Sequence, residues 1–146
     1  MGTNPNPYAP PAYRGLVPQY PSGYVDVDFT YPYDVSLTAL QALTDQAVAI
    51  HVDSDFCWRS LLLADYDGAF SIRFSDAQGY FLSAAKILNG NFLSGGVPYP
   101  FPIFPELILP AGSRLGIEIT DLSNDDNDIE ILFRGVKRYT LPNAPR

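Results

Sequence analysis

From residue 25 onward, apolar and polar side chains alternate with the period of two that a half-buried strand requires. Val25, Val27, Phe29 and Tyr31 fall on one face, and Asp26, Asp28 and Thr30 on the other. Between Leu37 and Ala49 the pattern fits two readings, because Leu37, Leu40 and Leu43 with Ala39, Ala42 and Ala47 also suit a short amphipathic turn. Val48, Ile50 and Val52 restore the alternation, and Asp53-Ser54-Asp55 breaks it with turn chemistry. Phe56 to Ala64 is apolar enough for a strand buried on both faces. Tyr66-Asp67-Gly68 predicts a hairpin turn into a strand where Phe70, Ile72 and Phe74 alternate with Ser71, Arg73 and Ser75. A turn at Asp76-Ala77-Gln78-Gly79 then leads to a short edge or corner strand at Tyr80 to Leu82. From Asn89 to Pro110, glycines and five prolines surround Tyr99, Phe101, Ile103 and Phe104, which predicts a shaped apolar loop without a long strand. A closing hairpin is expected where Leu115, Ile117 and Ile119 face Ile129, Ile131 and Phe133 across Ser123 to Asn127. Seven or eight such strands predict an all-β fold over residues 25–146, a two-sheet β-sandwich or jelly roll.

Residues 1–24 follow another rule. They hold six prolines and four tyrosines, with Arg14 the only charged side chain. Proline removes backbone donors and biases its neighbours toward extended geometry, so this stretch reads as an extended N-terminal arm that cannot build a core alone. A disordered tail is the competing reading, but such tails keep themselves in solution with charge, and this one has almost none. Tyrosine and proline supply contact area at low entropic cost. Tyr8, Tyr13, Arg14, Tyr20 and Tyr24, joined by Tyr99, Phe101 and Phe104 of the Pro-rich loop, are therefore the expected partner-binding residues. One rigid apolar loop and one apolar arm on each chain suggest a homo-oligomer that buries both, a trimer in preference to a dimer.

Composition narrows the function classes. The net charge of −7 repels a phosphate backbone, which argues against nucleic acid as a partner. Without a basic start followed by an apolar run, or any stretch of eighteen apolar residues, neither a signal peptide nor a membrane span is expected. The lone Cys57 rules out an intrachain disulfide and lies in an apolar run, where a thiol behaves as a small hydrophobe. The single histidine, His51, is expected opposite the apolar side chains of its strand, and neither it nor Cys57 has the neighbours that nucleophilic catalysis or zinc binding needs. The aspartates collect in turns, at Asp53 and Asp55, Asp65 and Asp67, and Asp125, Asp126 and Asp128; they read as solvated turn residues outside any calcium-loop spacing. No catalytic, cofactor-binding or metal-binding residue is therefore assigned. Trp58 is expected in the core against Phe70, Ile72 and Phe74.

From Phe56 to Tyr139 the order of motifs resembles small bacteriophage virion proteins of the minor structural or capsid-stabilising kind. The residues that carry it are FCWRSLLL, SIRFSDAQGYFLS, PFPIFPELILPAGSRLGIEITDLS and IEILFRGVKRY. The resemblance implies a cement or decoration protein without catalysis, assembled in the host cytoplasm and seated on the capsid exterior, where it clamps neighbouring copies of the major capsid protein. Head-fibre, connector and tail roles occur among such proteins too. A glycan- or host-binding jelly roll with Tyr80, Tyr99 and Phe101 stacked on sugar rings is the competing class, but it has little use for the arm.

Overall fold

The computed structural model describes residues 23–140. Their strands are β1 (Tyr24–Leu37), β2 (Ala42–Ala49), β3 (Asp55–Asp65), β4 (Phe70–Ser75), β5 (Ile87–Leu88), β6 (Leu93–Ser94), β7 (Val97–Pro98), β8 (Phe101–Leu109), β9 (Arg114–Asp121) and β10 (Asn127–Thr140). One sheet has the order β1-β10-β3-β8 and the second β2-β9-β4-β5, while β6 and β7 form a small ribbon of their own. Every pairing is antiparallel. The pairs are nested: β4 with β5, β3 with β8, β2 with β9, and β1 with β10. That nesting, wrapped across two sheets, is the topology of a jelly roll.

The period of two explains the core. Ile117 and Ile119 of β9 and Ile72 and Phe74 of β4 point inward from the second sheet, and Phe56, Trp58, Leu61, Leu63, Ile131 and Phe133 meet them from the first. Trp58 sits edge-on to Phe74 and Phe133, with ring centroids 5.4 and 5.2 Å away, and its indole N–H donates to the Ser60 carbonyl at 2.7 Å. That bond answers the one polar group of an otherwise apolar ring.

Two expectations need correction, and one open reading is decided. Tyr66-Asp67-Gly68 and Ser123 to Asn127 do not close hairpins, because β3 and β4, and likewise β9 and β10, lie in different sheets. Both turns are corners, and the apolar faces they join oppose each other through the core instead of pairing side by side. Leu37 to Ala49 forms no helical turn: Leu37 ends β1, and β2 begins at Ala42 and absorbs an irregularity between Leu43 and Gln46. The Pro-rich stretch does hold a long strand, the nine-residue β8. It lies at the sheet edge, where missing N–H groups cost least, and its pairing with β3 is interrupted between Trp58 and Ser60 so that Ile103 to Glu106 bow outward.

The corners are locked by a buried polar clip that the turn chemistry alone did not reveal. Asn127, fully buried, accepts from the N–H groups of Asp67 and Gly68 at 2.9 and 3.1 Å, and donates to the Gly68 carbonyl and to Asp121 Oδ1 at 2.9 and 3.0 Å. Asp121, equally buried, also accepts from Leu40 N–H and Ser123 Oγ, both at 2.8 Å. Burial works to raise its carboxyl pKa, but these hydrogen bonds outweigh it and hold the group below the usual carboxylate value. Three corners of the roll are thereby tied at one point.

Candidate interaction surfaces

The outer face of the first sheet carries a chain of charge across all four strands. Arg138 of β10 grips Asp26 of β1 with two bonds of 2.8 and 2.9 Å and reaches Glu106 of β8 at 3.4 Å. Arg59 of β3 completes the ring, 2.7 Å from Glu106 and 3.5 Å from Asp26. The Arg138 guanidinium also lies 4.1 Å from the ring centroid of Tyr24. The hydrogen bond from Arg138 is the largest effect on Asp26 and holds its carboxyl below the usual range. Cys57 points to this face but is fully covered, and burial pushes its thiol up to about 12, which keeps it protonated at neutral pH.

At the opposite end of that face the charges conflict. Asp34 of β1, Glu130 of β10 and Asp65 of β3 stand directly across from one another. A hydrogen bond with Asp34, its charge, and then desolvation and Asp65 raise the Glu130 carboxyl above its ordinary value. A carboxyl whose pKa is raised by folding destabilises the native state once pH rises through the folded value. Glu130→Gln is therefore expected to raise the melting temperature at pH 7, with the gain vanishing in acid, where Glu130 is protonated in the folded and unfolded chain alike. Paired thermal melts check this; equal melting temperatures at pH 7 would contradict the repulsion.

The inward side of β1 and β10 changes character toward the strand ends. Tyr31 and Tyr33 are buried, but Val27 and Val25, in the same phase, are 42% and 38% exposed. The second sheet stops at the Ala49–Arg114 pair and no longer covers them. Lys137 plugs the end of the core here. Its ammonium bonds both Asp53 oxygens at 3.1 and 3.0 Å, donates to His51 Nδ1 at 3.0 Å, and lies 4.2 Å from the Phe29 ring centroid. An ammonium only donates, so in this contact His51 Nδ1 is the acceptor. Tyr139 donates to Asp53 at 3.0 Å, and Tyr31 Oη accepts the backbone N–H of His51 at 3.0 Å. His51 is thus at the surface, as its place in the sequence suggested, but in the β2–β3 loop and edge-on to Phe29 and Tyr31.

The expected partner-binding residues divide into three groups. Tyr8, Tyr13, Arg14 and Tyr20 lie outside the described residues. Tyr24, read as the last residue of the arm, opens β1. In the Pro-rich stretch Phe104 is 94% exposed, whereas Phe101 packs against the core beside Phe92 with centroids 5.1 Å apart, and Tyr99 stands 6.2 Å from Phe101. The acidic turns are also less free than expected: Asp67 accepts Asp128 N–H, Asp128 accepts Ser36 Oγ, and Asp55 accepts Ala111 N–H. Together these features describe a jelly roll whose apolar surface is offered as knobs and ledges. No protein-family model, curated protein or solved structure matches the chain.

Proposed function

We propose that this chain is a non-enzymatic virion structural protein, a cement or decoration protein that grips neighbouring copies of the major capsid protein on the outside of a phage head. The observation that carries the reading is Phe104. It projects almost wholly into water from an edge strand stiffened on either side by Pro102 and Pro105. Nothing in the fold benefits from it there, and a rigid apolar knob is the kind of anchor that fills a partner's pocket. Val97 of β7 is a second exposed apolar side chain, and the N-terminal arm offers further tyrosines and prolines. The motif order that resembles capsid-stabilising proteins gives the partner its class.

Deleting residues 1–22 is expected to leave the melting temperature within a few degrees of the full chain and to abolish binding to virions stripped of this protein. Co-sedimentation and thermal melts read the two effects. Quantitative mass spectrometry of the virions is expected to show a copy number comparable to the major capsid protein. A truncated chain that no longer folds, or a protein present in only a few copies, would overturn the cement reading.

A further inference from the structure

The exposed apolar ledge at the ends of β1 and β10 has an occupant within the chain's own composition. We propose that it seats residues 1–22 of a second copy, an arm exchange that rests on the clamp reading above and names where the arm is held. The ledge is formed by Val25, Val27 and the partly buried Phe29 on β1, with Val52 of the β2–β3 loop 86% exposed beside Gly112 at the same end of the roll. These side chains keep the phase of the core but have lost their cover, so the sandwich has an unfinished apolar end. Residues 1–22 bring three tyrosines, six prolines and a single charge, Arg14, a composition suited to an apolar ledge. A proline-rich segment can lie on such a surface without strand pairing, because extended polyproline-like geometry leaves its backbone groups turned to water.

The geometry of departure favours a second copy over the chain's own arm. Gly23, with φ +90°, adopts a left-handed conformation immediately before β1 and turns the chain out of the strand. To cover Val25 and Val27 from the same chain, the segment would have to double back at once and run beside the free edge of β1. An extended stretch of this length spans roughly 75 Å, against a radius of gyration of roughly 13 Å for a domain of this size, so it reaches a neighbour with ease.

The test uses full-length chains mixed in equal amounts, one carrying Val27→Cys and the other Tyr8→Cys, Tyr13→Cys or Tyr20→Cys. Cys57 is fully buried and does not compete. On mild oxidation, at least one arm position is expected to give a disulfide-linked pair in about tenfold excess over a control in which Asn124→Cys, at the far corner, replaces Val27→Cys. Peptide mapping identifies the link. Double variants that close the disulfide within one chain, or mixtures that link no better than the control at all three arm positions, would overturn the proposal. Cross-linking with absence from virions would instead sink the cement reading and leave the exchange standing.

Discussion

Gly135→Ala is expected to destabilise the domain by more than about 4 kcal/mol, enough to abolish folding of most of the chain at 37 °C. Gly135 lies on β10 opposite Trp58, immediately after the register shift that follows Arg134. A Cβ placed there falls on the carbonyl oxygen of Cys57 and 3.2 Å from Phe56 Cζ. The obstacle is backbone in the central strand of a sheet, so no rotamer change relieves it; β10 would have to part from β3. Soluble yield and a urea melt monitored by circular dichroism read the effect. A variant melting within a few degrees of the parent would mean that the two strands do not approach each other this closely.

The second large effect is expected from Trp58→Ala, at about 3 to 5 kcal/mol. Trp58 is the largest fully buried side chain, and it fills the space between the sheets where Phe74 and Phe133 converge. Truncation leaves a cavity whose walls belong to two sheets, and β-sheet backbone collapses poorly into such a gap. It also removes the indole donor from the Ser60 carbonyl. Equilibrium urea unfolding measures the loss. In the parent, Trp58 fluorescence should be blue-shifted and protected from iodide; free quenching would place the ring outside the core.

These two residues also mark what the sequence made legible. Alternation identifies which side chains face inward, and Trp58, Phe70, Ile72, Ile117, Ile119, Ile129, Ile131 and Phe133 all do. It is silent about which strand lies alongside, because a strand paired in its own sheet and one packed across the core show the same period. Ser123 to Asn127 therefore looked like the tip of a hairpin when it is the corner between two sheets. The same phase, carried past Phe133, places Gly135, Lys137 and Tyr139 on the core side of β10, so an interior lysine and a close backbone approach were there to be found. Asn127 was harder: its bonds to Gly68 and Asp121 join residues from separate corners, and only the folded chain brings them together. The interaction surface was legible as composition, in the prolines and aromatics around Phe104. What set Phe104 apart from Phe101 was the bow in β8, which depends on its pairing with β3.

The nesting of the strand pairs bears on how the chain reaches this fold. The innermost pair, β4 with β5, closes a short loop, and each pair outward encloses all those within it, until Tyr24 meets Thr140 from the other end of the described chain. Loop-closure entropy rises with each step, so bringing β1 onto β10 directly from an open coil is the costliest closure, and it becomes cheap only after the inner pairs have formed. Folding by this route is slow relative to a helical domain of equal length, because few of the stabilising pairings are local. Until β1 arrives, β10 presents an unpaired edge with Ile129, Ile131 and Phe133 uncovered on that side. The interval before that last closure is when the protein is most exposed to pairing with the wrong chain.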